Sequence, residues 1–185
     1  MSDEEIKIHR GLNNVYFDRT KTTYINGKEG VLEYRGYNIH DLSEKSSFEE
    51  VSYLLLYGKL PTKNELDAFN SSLKESREIP SQVIDIIKSI KDSHPMDVLR
   101  TAVSALSAFD EEASDKGYDA TMRKGIRLTS QVPTIVMAHN SIRNGKDPVE
   151  PSKELSHAAN FIYMLDGKIP SDSTASLMDK DFIVH

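Results

Sequence analysis

The sequence predicts a mainly α-helical fold that carries a small amino-terminal β-hairpin. Three observations predict it. Beyond residue 47, apolar residues recur at helical spacing in one segment after another. Short links rich in Gly, Pro, Ser and Thr separate those segments, a spacing that suits a helical layer and not a sheet built from crossover units. Before residue 40, β-branched and aromatic residues instead flank the turn signal Asn26-Gly27. The chain has 185 residues, of which 38% are apolar, enough for a buried core.

Residues 1–14 read as a loosely ordered leader, and 15–185 as the folded part. Thr20 to Ile25 pairs with Gly30 to Tyr34, and because two strands are marginal alone the hairpin must rest on helices. Gly36 and Tyr37 follow in a stretch without a period, and a short helical turn runs from Ile39 to Leu42. Ser47-Phe48-Glu49-Glu50 has capping-box spacing. It opens a helix whose stripe is Phe48, Val51, Leu54 and Leu55, widened by Leu56 and Tyr57 and stopped by Gly58 and Pro61.

Thr62 and Glu65 repeat the capping box. Leu66, Phe69 and Leu73 then point inward, while Lys63, Asp67, Asn70, Lys74 and Arg77 are assigned to water. Ile79-Pro80 breaks this helix, and Ser81 is expected to cap the next, with Val83, Ile84, Ile87 and Ile90 on one face. Pro95 occupies a first-turn position of a helix to about Phe109. Its face is Leu99, Val103 and Leu106, and Ala102, Ala105 and Ala108 allow close approach of a neighbour, in an intrachain core or at a subunit contact.

A polar stretch from Asp110 to Gly117 leads to a segment from Asp119 to Arg143, expected to bend or break at Pro133 and to end at Gly145. Glu154 to Leu165 reads as a helix burying Leu155, Ala158, Phe161, Ile162 and Leu165, stopped by Gly167 and Pro170. From Ser173 a last helix turns apolar at Phe182, Ile183 and Val184 just as the sequence ends, and so looks cut.

The formal charge of −6 provides no broad cationic surface for nucleic acid or an anionic membrane. Without cysteine there are no disulfides, thiolate metal sites or cysteine nucleophiles, which is compatible with the cytoplasm. The first ten residues lack the apolar core of a secretion signal, and no run spans a bilayer, so Asn70-Ser71-Ser72 reads as an accidental glycosylation triplet.

Chemistry-bearing residues are scattered. The six histidines are His9, His40, His94, His139, His157 and His185, with no pair at helical zinc spacing. His94, beside Pro95, reads as a helix-start packing or hydrogen-bonding residue. Gly27-Lys28-Glu29-Gly30 is a hairpin turn, too short and charged for a phosphate loop. Arg35 is expected to stack on a ring or pair with a carboxylate, contact with an anionic ligand being the less favoured reading. Glu49 and Glu50 are adjacent and do not face one another on a helix, so capping and solvation account for them. Ser104, Ser107 and Ser130 have no pattern that marks an activated nucleophile.

One ordered combination of residues is specific. It comprises Gly30-Val31-Leu32-Glu33-Tyr34-Arg35-Gly36-Tyr37, then Ile39, Leu42, Phe48-Glu49-Glu50-Val51, Leu54-Leu55 and Tyr57-Gly58-Lys59-Leu60-Pro61-Thr62. It continues through Glu65-Leu66, His94-Pro95-Met96 with Leu99, and the Asn160-Phe161 helix to Gly167 and Pro170. Through these residues the chain resembles the amino-terminal part of citrate synthases, most closely the archaeal and related prokaryotic ones. The resemblance implies a multihelical fold of a large and a small domain, present here only in part. Residues 15–185 would be the first part of the large domain, truncated before the active-site segments.

The resemblance also implies an acyltransferase that condenses acetyl-CoA with oxaloacetate and water to give citrate and CoA in the full-length protein. It implies no metal or permanently bound cofactor, and acetyl-CoA/CoA enters as substrate and product. A homodimer is implied, with Pro95 to Phe109 and Thr121 to Ala138 as candidate two-fold helices. Phe182-Ile183-Val184-His185 is similar to the segment just before an acidic-His-Glu run that contacts oxaloacetate, which makes His185 a neighbour of the site and not a catalyst. No catalytic, cofactor-binding or metal-binding residue is therefore assigned within 1–185, and the piece alone is expected to be inactive. The alternatives are a 2-methylcitrate synthase using propionyl-CoA and a non-catalytic dimerising paralogue.

Overall fold

Helix ends fall mostly where side chains can satisfy the orphan backbone groups of a first or last turn. The computed structural model describes residues 8–12, 15, 16 and 18–185, so the leader expected over 1–14 lies largely outside the described residues. Strand β1 (Thr23–Asn26) pairs antiparallel with β2 (Val31–Tyr34), Asn26 lying opposite Val31. The Asn26 side chain closes the turn by accepting from the Lys28 N–H at 3.2 Å and donating to Glu29 at 2.9 Å.

The sheet has a third strand that the sequence reading missed, β3 (Tyr37–Asn38), paired to β2 with Tyr34 opposite Tyr37. Arg35 and Gly36 both take positive φ, 52° and 85°, and so make the tight two-residue connection whose twist matches that of the strands. The signal was Gly36; Arg35 in a left-handed conformation disguised it.

Helix α1 (Ile39–Lys45) is capped by Asn38, which accepts from the His40 N–H at 2.9 Å. Helix α2 (Phe48–Tyr57) has the expected capping box of Ser47 and Glu50 and stops at left-handed Gly58. Helix α3 (Lys63–Glu75) starts from the box of Thr62 and Glu65. The Lys59 ammonium, with the Thr62 N–H and hydroxyl, holds the Glu65 carboxyl down to about 2.

Ser81 is not the cap of α4 (Ser81–Ser89). Pro80 holds that position without a side-chain bond, and its carbonyl accepts from Val83 and Ile84. Helix α5 (Pro95–Leu106) passes into a 3-10 turn over Ser107–Phe109, and its buried face is Val98, Ala102 and Leu106. Leu99 and Val103 are only partly buried and Ala108 is exposed, so the true face is rotated from the expected one.

Helix α6 (Tyr118–Arg143) runs unbroken through Pro133, so the proline, expected to bend the helix or mark a joint, is not a joint. One proline removes one ladder bond, and contacts with α3, α4, α5 and α7 hold the rest of this long helix. Helix α7 (His157–Asp166) begins later than expected, at the Ser156 cap. It buries His157, Ala158, Ala159, Asn160 and Met164, whereas Leu165 is exposed. Helix α8 (Asp172–Val184) is capped by Ser171 and buries Ile183.

Helices α4, α5 and α6 share an apolar cluster of Val83, Ile87, Val98, Ala102, Leu106, Ile135, Ala138 and Ile142. Complete burial of a Val, Leu or Ile side chain contributes about 1.5–3 kcal/mol. The hairpin meets α1, α2 and α8 through Leu32 and Tyr34, packed against Ile39, Leu42, Val51, Leu54 and Ile183. Among the described residues no helix is long and apolar enough to cross a membrane.

Candidate functional site

Three segments distant in sequence converge where α2 begins. The Phe48 N–H donates to both carboxylate oxygens of Asp179 on α8, at 3.2 and 3.3 Å. Glu49, the next residue, accepts from the His157 N–H at 2.8 Å and is only 7% exposed. Each carboxylate thus caps the first turn of a helix other than its own, at the end where backbone dipoles favour negative charge.

The His157 ring stacks on Phe48 with centroids 4.6 Å apart and meets Phe182 edge-on at 5.9 Å. Phe182 in turn contacts Phe161 at 5.2 Å. The imidazole is 3% exposed and its Nδ1 has no hydrogen-bond partner. Burial, reinforced by the Arg77 charge, pushes its pKa down to about 4, so the ring is neutral at pH 7.

Arg77 is 2% exposed, which corrects its assignment to the watery face of α3. It lies beyond the helix end, where the helical period no longer applies. Its Nη1 donates to the Ser152 carbonyl and its Nη2 to that of Leu155 at 3.0 Å, while its own carbonyl accepts from Thr134 on α6 at 2.8 Å. Asn160 adds a bond to the same loop, accepting from the Ser152 N–H at 2.8 Å. Burial lowers the Arg77 pKa and the Glu49 charge opposes this. Burial raises the Asp179 pKa against the Phe48 N–H, and Glu49 and Glu50 add to the rise.

Glu49 is likewise corrected, since solvation does not account for it; Glu50 is the capping residue that was expected. The signal for both Arg77 and Glu49 lay in partners 75 to 108 positions away, beyond the reach of local periodicity. Asp179, 131 positions from Phe48, was missed as a polar contact for the same reason, whereas Asn160 was missed although its partner Ser152 lies eight positions away.

A groove of about 390 Å³ opens beside the ring, lined by Phe48, Phe182, His157 and the Leu128, Thr129, Val132 and Pro133 stretch of α6. A second cleft of about 480 Å³ lies between the end of α5 and α6. There Arg127 pairs with Asp110 at 2.7 Å and Glu112 at 2.9 Å, and Arg123 also pairs with Glu112. Hydrogen bonds from Arg123 and Arg127 hold Glu112 down to about 2. The arginines of this cleft are thus matched by carboxylates, and Lys124, which also lines it, donates to the Ala113 and Asp115 carbonyls.

The other candidates stand apart. His94 is the N-cap of α5, its Nδ1 accepting from the Met96 N–H at 3.2 Å, which is the role expected of it. His139 is buried with Nε2 3.0 Å from the Lys91 carbonyl. His40 and His9 are exposed, and His185 is exposed with Nδ1 3.0 Å from the Asp181 carbonyl. Among the described residues Arg35 neither stacks on a ring nor pairs with a carboxylate. Its Nη2 donates to the Leu55 carbonyl at 2.8 Å and so closes the end of α2.

Gly27 to Gly30 form the turn expected of them. The Ser107 hydroxyl donates to the Ser104 carbonyl at 2.8 Å, and Ser130 is buried without a partner. Among the described residues no cluster of three or more His, Asp or Glu side chains is placed to hold a metal ion. At the His157 junction the polar side chains of Glu49, Arg77 and Asp179 bond backbone groups and so position helices.

Residues 11–185 match the family model described as "Citrate synthase, C-terminal domain". The chain is 40% identical over 184 residues to the citrate synthase of Haloferax volcanii, covering 97% of this chain and 48% of that protein. The crystal structure of citrate synthase from Pyrobaculum aerophilum superposes with a TM-score of 0.92 at 36% identity, over 96% of this chain and 47% of that one. The citrate synthase of Thermoplasma acidophilum, solved as a ternary complex with carboxymethyl coenzyme A and oxaloacetate, matches at a TM-score of 0.90 and 25% identity, over 96% of this chain and 47% of that one. The chain spans about half the length of the relatives it matches. By sequence and by backbone alike, it belongs to the citrate synthase family.

Proposed function

We propose that residues 15–185 are the amino-terminal part of the large domain of an enzyme that condenses acetyl-CoA with oxaloacetate and water to give citrate and CoA. The observation that carries this reading is the agreement with citrate synthases in both sequence and backbone along nearly the whole chain. The relative solved with carboxymethyl coenzyme A and oxaloacetate supports the same substrate pair.

The reaction needs a base for the weakly acidic methyl group of the thioester and stabilisation of the charge that moves onto its oxygen. The methyl carbon then bonds to the ketone carbon of oxaloacetate, and water cleaves the thioester to release CoA. Within residues 1–185 we assign none of these roles. The His157 junction, the hairpin and the α4–α6 bundle form the supporting shell, and no resident metal or cofactor is invoked.

The proposed assembly is a homodimer in the cytoplasm, with no nucleic-acid partner. Leu128 and Val136 are exposed on α6 with half-buried Val132 between them at four-residue spacing, which supports α6 as a two-fold helix beside α5. The test is a thiol-release assay on the polypeptide encoded by the reading frame that contains these residues. Oxaloacetate-dependent release of CoA from acetyl-CoA, with citrate as product, is expected. Absence of release would overturn the reading, and preferred turnover of propionyl-CoA would assign the 2-methylcitrate reaction instead, a discrimination of one methylene.

A further inference from the structure

The ring of His157 is caged without being bonded. Phe48 covers one face, Phe182 meets it edge-on, and Nδ1 is buried without an acceptor. The charged groups around the cage come from three directions. Arg77 approaches from the segment after α3, Glu49 and Glu50 belong to α2, and Asp179 belongs to α8. From α6, the groove-lining residues Leu128, Thr129, Val132 and Pro133 supply no titratable group.

The carboxylates are already engaged. Glu49 accepts from the His157 backbone N–H, Asp179 from the Phe48 N–H, and Glu50 from the Ser47 N–H. A proton added to the imidazole therefore places a second cation near the Arg77 guanidinium and buries an N–H that has no acceptor.

We infer that the junction of α2, α7 and α8 is an acid-released latch, closed while His157 is neutral and opened by its protonation, which frees the Phe48 and Phe182 walls of the cage. The ring's depressed pKa agrees with this direction. The closed state favours the neutral ring and the open state allows the ordinary pKa of 6.5, so opening is promoted as pH falls from 6.5 toward 4. Asp179, whose pKa is raised, works the other way, because the closed state favours its protonated form. Glu49 and Glu50 restrain the response to the extent that their charges attract the imidazolium.

Hydrogen exchange of the protein, followed by mass spectrometry and corrected for the intrinsic pH dependence of exchange, tests the latch. Between pH 7.5 and pH 5 the peptides covering 48–51, 157–161 and 179–184 are expected to open about twentyfold more, while those covering 83–89 of α4 are unchanged. His157→Phe keeps an aromatic ring that cannot titrate, and His157→Gln provides a smaller polar replacement should the phenyl group fit badly. Either folded variant is expected to lose the acid response, and Asp179→Asn is expected to keep it. An acid response that survives in the His157 variants, that disappears with Asp179→Asn, or that is absent from the parent protein overturns the latch.

Discussion

The α4–α5–α6 bundle and the α2–α7–α8 junction are held by opposite means. The bundle is closed by eight buried apolar residues whose contacts have no required direction. The junction instead buries Glu49, Arg77, His157 and Asn160, and each bond there needs its partner at the right distance and angle. The hydrocarbon packing of the bundle's apolar cluster contributes stability that does not depend on protonation. Buried ionisable groups make the junction specific in geometry and responsive to charge.

The sharpest way to break this contrast is to damage each region and compare. Ile87→Ala removes a fully buried side chain from the bundle and is expected to lower stability by about 4 kcal/mol. Urea unfolding should show the same penalty at pH 7 and pH 5, and a penalty that changes with pH would erase the distinction.

Arg77→Met keeps much of the side-chain volume but leaves the Ser152 and Leu155 carbonyls without their donor, for an expected loss of about 3 kcal/mol. A variant as stable as its parent would show that this clamp contributes nothing. Next in size is the pH term of His157 itself. Its folded pKa lies below the ordinary 6.5, so its contribution is complete above 6.5 and is lost as pH falls toward about 4. By pH 5 the loss amounts to about 2 kcal/mol, read as the difference between parent and His157→Gln urea curves at two pH values. The smallest effect is expected of Ser47→Ala, which removes one capping acceptor at the start of α2 and lowers thermal stability by about 1 kcal/mol.

The same contrast divides what was legible in the sequence from what was not. Local chemistry announced the Ser47–Glu50 and Thr62–Glu65 boxes, the Gly58 and Gly167 stops and the His94 cap, because each depends on residues a few positions apart. The α4 face of the bundle was legible for a related reason, since Val83 and Ile87 recur at the helical period, whereas the face of α5 was expected one position away from Val98 and Ala102. Strand β3 was not, because its turn uses Arg35 where asparagine or glycine is the usual signal. The unbroken course of α6 through Pro133 was hidden as well, since tertiary packing on both sides of the proline decides it.

The junction was least legible. Glu49 and Arg77 carry the charges that ordinarily mark a watery face, and only partners far along the chain explain their burial. The ordered run from Gly30 to Thr62 marked the family, yet the structure uses those residues for the hairpin, α1 and α2. In the proposed enzyme, recognition and catalysis rest on different residues.

That separation is tested most directly by a thiol-release assay on the folded 185-residue chain alone, supplied with acetyl-CoA and oxaloacetate. The account predicts no oxaloacetate-dependent release of CoA from this chain. Sustained turnover would contradict it, because the catalytic groups would then have to lie among residues to which only structural roles are given.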